Sequence, residues 1–195
     1  RLTAPIVAAA AIISPIIAKL GIEVNAHVSA IGNVKSKPIA QCPEKWQNVD
    51  CQLIRCQDPE AAVDMIKLVE DHRMNLDSVG SEVELQISDM PMGIGEPWFD
   101  GIEPYLARAM MSIPAARGVE FGEGFAAIEM KGSEHNNPWG GSKDNPVMLG
   151  EKPDGALAGL STGSDFFCKV AFKPPSSIPQ AVSYTHLTLP TISRV

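Results

Sequence analysis

The sequence predicts an α+β fold, because strands and helices of different lengths follow one another without a regular βαβ repeat. Residues 22–31 and 80–88 alternate apolar and polar side chains, and a period of two is typical of a strand with one buried face. Residues 59–74 carry apolar side chains at helical spacing after a proline in the first turn, which predicts an amphipathic helix. These segments indicate a mixed fold rather than a doubly wound parallel sheet.

The same patterns predict which side chains of these segments are buried. The apolar members of each alternation are expected to face the core, and the polar members are expected to face water. The residues predicted to be buried are Ile22, Val24, Ala26, Val28, Ala30, Ala62, Val63, Ile66, Val69, Val83, Leu85 and Ile87. The residues predicted to be exposed are Glu23, Asn25, His27, Ser29, Glu82, Glu84 and Gln86.

Residues 4–20 are rich in alanine, isoleucine and leucine, and Gly21 supplies a C-terminal cap, which predicts a helix in the core. Pro15 is expected to kink or split this helix because its ring removes one backbone donor. The apolar start also suggests a signal peptide or a membrane span. Pro5, Pro15 and the lack of a basic leading region favour the buried helix instead.

The rest of the chain is predicted from weaker signals. Asp100 is a candidate N-cap for a helix over 100–113. Short strands are predicted at 119–121, 126–130 and 166–172, a surface excursion at 33–58, and a long polar loop at 132–154.

Composition and charge exclude several classes of protein. The 195 residues are 45% hydrophobic and 20% charged, which is ordinary for a globular chain. The net charge of -7 argues against binding to nucleic acid or to anionic membranes, because both require a basic face. An anionic ligand therefore needs a local basic pocket.

The cysteines do not predict a metal site. Cys42, Cys51, Cys56 and Cys168 form no CxxC pair of the kind found in structural zinc sites and redox motifs. We expect reduced, structurally ordinary thiols.

The C-terminal stretch is predicted to have a different origin from the rest. Residues 182–191, VSYTHLTLPT, match the frame translation of a widely used transposon sequencing adapter, and such read-through carries no information about the fold. We therefore predict a partial domain over 1–181 and a non-native tail over 182–195. The chain also begins without methionine, which suggests a truncated reading frame.

Four separated segments contain glycine, proline and small residues in arrangements that suit turns at a ligand. They are RLTA at 1–4, GIGEPWFD at 93–100, MSIPAARGVEFG at 111–122 with GSEHN at 132–136, and AGLSTG at 158–163 with AFKPPSS at 171–177. Each segment alone is a weak signal, but their occurrence together in this order is specific.

In this order the segments resemble the chorismate synthase family. The resemblance implies helices between two antiparallel sheets, and a cytoplasmic homotetramer. It implies a 1,4-elimination of phosphate from 5-enolpyruvylshikimate 3-phosphate, a small anionic substrate, to give chorismate in the shikimate pathway to aromatic amino acids. Reduced FMN is the implied cofactor, with a reductant that can be linked to NADPH. The fragment by itself is expected to be poorly folded or inactive.

The resemblance also assigns residues to the cofactor. Pro114 and Ala115 are expected to contact FMN, because small residues permit the close approach of a flat ring. Ala158 is expected to face the cofactor at a place where the family usually has glycine. The FMN-binding loop is expected to be Lys173, Pro174, Pro175, Ser176 and Ser177, which offer a cation, two hydroxyls and two rigid prolines.

Arg1 resembles the arginine of the family signature and is a candidate phosphate ligand. No catalytic residue and no metal ligand is assigned, because the family's two acid–base histidines belong to a part that precedes residue 1. His135 lies in an asparagine- and glycine-rich segment, where a solvated or hydrogen-bonding role is favoured over a proton donor.

Simpler interpretations stay open for each segment. The segment at 111–122 is also typical of a helix end followed by an edge strand. The segment at 173–177 is also typical of a turn that ends a strand. Glu96 and Asp100 fit a turn and a cap better than paired acid chemistry. The alternative function is a non-catalytic flavin- or nucleotide-binding or structural module. An NAD-dependent oxidoreductase is disfavoured, because no GxGxxG motif follows a strand and opens a helix.

Overall fold

The computed structural model describes residues 3–42, 49, 52–143, 145–150 and 154–179. Three α-helices lie in this part of the chain: α1 (Ala4–Lys19), α2 (Pro59–Met74) and α3 (Ile102–Met111). The strands are β1 (Glu23–Ile31), β2 (Val34–Lys35), β3 (Ser81–Ser88), β4 (Ala116–Phe121), β5 (Trp139–Ser142), β6 (Asn145–Met148), β7 (Ala156–Leu157), β8 (Leu160–Ser161) and β9 (Phe166–Phe172). The predicted α+β class is confirmed.

The main sheet is antiparallel and has five strands in the order β2-β1-β3-β9-β4. The last strand in sequence, β9, lies between β3 and β4, so it brings residues distant in sequence together. Two further two-stranded antiparallel sheets are formed by β5 with β6 and by β7 with β8. The strands predicted at 22–31, 80–88, 119–121 and 166–172 are all present.

Helices α2 and α3 pack on one face of the main sheet. Strand register places Val28, Val83 and Val170 in one row across this face. Helix α3 covers one half of it with Ile102, and the buried residues there are Ile87, Met90, Ala116, Phe166, Cys168 and Val170. Burial raises the pKa of the Cys168 thiol to about 11, so this cysteine behaves as an ordinary apolar side chain.

Helix α2 covers the other half of the apolar face near β1. Its buried residues are Ala61 and Met65, which pack with Ile31 and Cys56. The prediction that Val63 is buried is wrong, since this side chain is 66% exposed. The helix bounds are as predicted because Asp58 caps the N-terminus: its carboxylate accepts hydrogen bonds from the backbone N–H groups of Glu60 (3.1 Å) and Ala61 (3.4 Å).

The opposite face of the main sheet is polar, and part of it is buried. His27 and Glu84 are only 2% and 4% exposed, although both were predicted to face water. His27 Nε2 lies 3.1 Å from Glu84 Oε2, and the same oxygen accepts a hydrogen bond of 2.8 Å from the Ile39 N–H. The prediction failed because an alternating pattern does not reveal that residues around Ile39 fold over the polar face and satisfy its charges.

Helix α1 forms as predicted and contains Pro15 without being split, but its predicted burial is wrong in the described structure. None of its residues is buried, and Ile6, Val7 and Ile12 are each at least 66% exposed. The sequence pattern shows that the helix is apolar, but it does not reveal whether another segment covers the helix. No helix in the described part of the chain is both long and apolar enough to cross a membrane.

Several other local predictions are corrected. Gly101, and not Asp100, is the N-cap of α3, because residues 98–100 form a separate 3₁₀ turn. The strand predicted at 126–130 is a 3₁₀ helix over Gly124–Glu129. The loop predicted at 132–154 contains the β5–β6 hairpin, and the surface excursion at 33–58 contributes the buried Ile39, Cys56, Gln57 and Asp58.

Candidate functional site

The bend between α3 and β4 contains the first predicted cofactor contacts. After α3 ends at Met111, the Ala116 N–H donates to the Ile113 carbonyl over 3.1 Å and closes a tight turn. Ala115 has a φ of 72°, in the left-handed region that favours glycine. Pro114 and Ala115 are both exposed, so backbone and small side chain are open to a ligand.

The predicted FMN loop lies against this bend. Ala116 pairs with Phe172 where β4 and β9 meet, and the Lys173 N–H donates a 3.0 Å hydrogen bond to the Ala115 carbonyl. The five residues 173–177 follow β9 and are exposed. The structure therefore brings together two segments separated by more than fifty residues, as the prediction requires.

A cavity of about 560 Å³ lies beside the junction, between the end of α2 and the turn at 77–80. Its volume falls in the range of about 300–1,000 Å³ that small-molecule sites occupy. We call it the bend hollow. Its lining combines apolar walls with polar groups: Ile31, Val69, His72, Arg73, Asp77, Ser78, Val79, Ser81, Ala115, Phe172, Lys173 and Pro175.

Cations lie on two walls of the bend hollow. Lys173 comes from the loop, and Arg73 comes from the last turn of α2, where its Nε donates a 2.8 Å hydrogen bond to Glu70. His72 donates from Nδ1 to the Leu68 carbonyl over 2.8 Å, which leaves its Nε2 as an acceptor. Asp77 also lines the hollow, so its charged lining is two cations and one carboxylate. The hollow thus offers an apolar space with more basic than acidic groups at its edge, the local basic pocket that an anionic ligand of this acidic chain needs.

The turn at 77–80 was not singled out in the sequence, yet it forms one wall of the bend hollow. Its Ser78 hydroxyl donates a 2.6 Å hydrogen bond to the Pro175 carbonyl. The sequence signal was weak, since aspartate, serine and glycine within four residues are common in turns. Pairing with the distant loop depends on the position of β9 beside β3, which no local pattern predicts.

The third predicted contact, Ala158, lies in a different unit. The turn between β7 and β8 docks on the GIGEPWFD turn: the Ile102 N–H donates to the Gly159 carbonyl (2.9 Å), and the Gly93 N–H donates to the Ser161 carbonyl (2.9 Å). The Ser161 hydroxyl also accepts from the Ile94 N–H over 2.9 Å. The GIGEPWFD segment and the AGLSTG part of the fourth segment are therefore one structural unit.

Ala158 and the bend hollow lie at opposite ends of the same elements. The β7–β8 turn contacts the start of α3 and the Phe166 end of β9, whereas Ala115 and Lys173 follow the far ends of α3 and β9. Seven residues of β9 span about 20 Å at about 3.3 Å per residue. Ala158, which is expected to face the same cofactor as Ala115 and Lys173, is therefore not part of the lining of the bend hollow.

The remaining assignments stay predictions. Arg1 lies outside the described residues, as do residues 180–195, which include the predicted non-native tail. His135 Nε2 lies 3.5 Å from Asp154 Oδ1, in a half-exposed surface pair. In the described part of the chain, no group of three or more histidine, cysteine, aspartate or glutamate residues is placed to hold a metal ion.

A second cavity, of about 490 Å³, lies on the polar face of the main sheet. Lys169 lies between Glu84 and Glu120 across three adjacent strands, and Gln41 and Phe167 complete part of the lining. Its walls carry more acids than bases, so it suits an anion less well than the bend hollow does.

The chain is similar to proteins of one kind along most of its length. The family described as chorismate synthase matches residues 1–189. A chorismate synthase of Aeropyrum pernix is 41% identical over 188 residues, which cover 92% of this chain and 48% of the relative. One of Methanosarcina acetivorans is 38% identical over 182 residues, covering 93% of this chain and 50% of the relative.

The fold is similar to a solved structure of the same name. A crystal structure of chorismate synthase superposes with a TM-score of 0.72 at 26% identity, covering 83% of this chain and 52% of that one. The chain thus spans about half the length of the relatives it matches.

Proposed function

Since the chain belongs to the chorismate synthase family, we propose that it forms the flavin-binding part of an enzyme that eliminates phosphate from 5-enolpyruvylshikimate 3-phosphate to give chorismate. The observation that carries this proposal is the family match over residues 1–189. The cofactor is reduced FMN, which a reductant that can be linked to NADPH keeps in the reduced state. The reaction has no net redox change.

The residues of the bend hollow fit a flavin. The dimethylbenzene part of an isoalloxazine ring is flat and apolar, and the walls formed by Ile31, Val69 and Val79 are apolar. Ala115 adds only a methyl group, so a ring can approach the backbone of the bend closely. Reduced FMN, when bound, supplies the electronic step of the elimination. The protein residues orient it and exclude water.

The cations at the edge of the hollow suit the phosphate of FMN. Lys173 offers an ammonium group on a flexible stem, and Ser176 and Ser177 follow it with hydroxyls that can donate to phosphate oxygens. Arg73 reaches the same cavity from α2. Charge-assisted hydrogen bonds of this kind are about twice as strong as neutral ones. Ala158 remains a proposed flavin contact from the other end of α3, and Arg1 a proposed phosphate ligand.

We propose that the 195-residue chain does not form chorismate by itself. It spans about half the length of its relatives, and a site built from distant segments loses transition-state stabilisation when one wall is missing. The acid–base histidines are assigned to the part of the family that precedes residue 1. We further propose that the full-length enzyme is a cytoplasmic homotetramer that acts on a small anionic substrate and binds neither nucleic acid nor membranes.

Flavin titration tests the binding half of the proposal. Saturable quenching of FMN fluorescence by the chain is expected, and Lys173→Gln should weaken it by about tenfold, the loss of one charge-assisted hydrogen bond. Lys67→Gln is the matched control, because Lys67 is an exposed lysine of α2 outside the lining of the hollow. A purely structural module, the alternative function, would show no saturable binding.

A chimera tests the catalytic half. The segment of the Aeropyrum pernix relative that matches this chain is replaced by residues 1–181, and chorismate is measured with reduced FMN and the phosphorylated substrate. Chorismate formation is expected. A chimera that binds FMN as tightly as the unmodified relative but forms no chorismate would favour a non-catalytic flavin-binding module.

A further inference from the structure

The loop at 173–177 is held from two sides. On one side the Lys173 N–H donates to the Ala115 carbonyl over 3.0 Å. On the other side the Ser78 hydroxyl donates to the Pro175 carbonyl over 2.6 Å, joining residues 97 positions apart. Both bonds end on backbone atoms of the loop, so they fix its path.

The turn at 77–80 is shaped to receive this loop. A Cβ atom at Gly80 would lie 3.0 Å from the Phe172 carbonyl oxygen and 3.4 Å from Pro174 Cδ. The first distance is tighter than about nine in ten real Cβ contacts, so a side chain at this position would push the loop away by a few tenths of an ångström. The Gly80 carbonyl also accepts a 3.0 Å hydrogen bond from the Gly32 N–H, which ties the turn to the end of β1. Asp77 contributes by accepting from the Ser78 N–H over 2.8 Å.

We propose that Ser78 is a positioning residue for flavin binding: its hydrogen bond to Pro175 holds Ser176 and Ser177 at the edge of the bend hollow. This inference rests on the proposed flavin-binding function. Pro174 and Pro175 stiffen the loop, but rigid prolines alone do not fix its direction relative to the sheet. The hydroxyl of Ser78 fixes that direction, and Gly80 provides the room.

The loss of one such bond is worth about 0.5–1.5 kcal/mol, a factor of about three to ten in affinity. Ser78→Ala should therefore raise the Kd for FMN by about three- to tenfold. Ser78→Thr keeps the hydroxyl and should restore binding to within about twofold. Gly80→Ala keeps the hydroxyl but displaces the loop, so it should weaken binding like Ser78→Ala. Ser36→Ala is the matched control, since that hydroxyl donates only to the neighbouring Lys37 carbonyl, over 2.9 Å.

The test combines FMN titration with backbone ¹⁵N relaxation of the chain without flavin. In Ser78→Ala the order parameters of Ser176 and Ser177 should fall from the rigid range, near about 0.85, towards the flexible range below about 0.6. A melting temperature close to wild type, together with the loss of order and the weaker FMN binding, supports the inference. A Ser78→Ala chain with unchanged order parameters, or with mobile serines but an unchanged Kd, overturns it.

Failure of the proposed function gives a different result. In that case the wild-type chain itself shows no saturable FMN quenching, which is seen before any variant is made. That outcome removes the flavin role of Ser78 together with the proposed function. If the wild-type chain binds FMN and the Ser78→Ala variant binds it equally well, the positioning role of Ser78 is refuted and the proposed function stands.

Discussion

Gly95 and Gly159 meet where the GIGEPWFD turn docks on the β7–β8 turn. A Cβ atom at Gly95 would lie well inside contact distance of the Gly159 carbonyl oxygen, and a Cβ atom at Gly159 would meet the Glu96 carbonyl in the same way. Gly95 also has a φ of 121°, a conformation that side chains rarely adopt. Gly95→Ala therefore perturbs both the backbone conformation and the contact between the two turns.

The loss of stability in Gly95→Ala has two parts, one from the backbone conformation and one from the steric contact. A residue held in a sparsely populated region of φ and ψ costs about 1–3 kcal/mol. Forcing a methyl group into a packed contact costs about 1–3 kcal/mol more. The obstructing atom is a backbone oxygen, which cannot rotate away as a side chain can. We expect Gly95→Ala to lower the free energy of unfolding by about 2–6 kcal/mol.

Gly93→Ala is the control that separates the two terms. Gly93 lies in the same turn and has a φ of 86°, but a Cβ atom there would meet nothing within 4 Å. Its cost should be the backbone term alone, about 1–2 kcal/mol. Urea unfolding of both variants, with the shift in midpoint multiplied by a common slope, measures the difference. Equal destabilisation by the two substitutions would refute the interlocking of the turns.

Three further substitutions have expected outcomes. Ala158→Gly should raise the free energy of unfolding by about 1 kcal/mol, because Ala158 has a φ of 52° and glycine adopts this conformation without strain; thermal unfolding that shows a loss of stability would contradict this. Asp58→Ala should lower the free energy of unfolding by about 1–2 kcal/mol at neutral pH, because the N-terminal cap of α2 is lost. Burial raises the pKa of the Asp58 carboxyl, but hydrogen bonds from the Lys37, Ala61 and Glu60 N–H groups outweigh burial and lower it. The stabilisation by the Asp58 cap is therefore complete above the unfolded pKa of about 3.9, and it is lost as the pH falls through the folded pKa. If the wild-type chain were still more stable than Asp58→Ala in strong acid, this explanation would be contradicted. Glu84→Ala should lower the free energy of unfolding by about 2–6 kcal/mol, because it leaves both His27 Nε2 and the Ile39 N–H buried without their acceptor. Glu82→Ala breaks a 2.8 Å bond from Ser29 in a more exposed place and should lower it by about 1 kcal/mol. Chemical denaturation that ranks the two variants in the opposite order would refute the burial argument.

The elements of the fold were largely predictable from the sequence, and the direction that their side chains face was less so. Helix α2 begins and ends as predicted because Asp58 and Pro59 carry strong local signals. His27 and Glu84 were misplaced because they satisfy each other across two strands. A pattern that counts polar residues as exposed cannot predict a buried pair.

The candidate site was also only partly predictable from the sequence. The resemblance pointed to Ala115 and Lys173, and the structure joins them by a backbone hydrogen bond. It did not predict that Ala158 would lie at the far end of α3. Ser78 was missed because its partner, Pro175, becomes a neighbour only when β9 inserts between β3 and β4. Sheet order is a property of the whole chain, and no local motif encodes it.

The bend hollow is proposed to bind flavin. Chemical-shift mapping of the ¹⁵N-labelled chain with FMN tests it most directly, because each backbone amide reports its own surroundings. We predict saturable shifts at the amides of Ala115, Lys173 and Ser176. Shifts confined to the unit around Gly95 and Gly159, with none at Ala115 and Lys173, would contradict the claim.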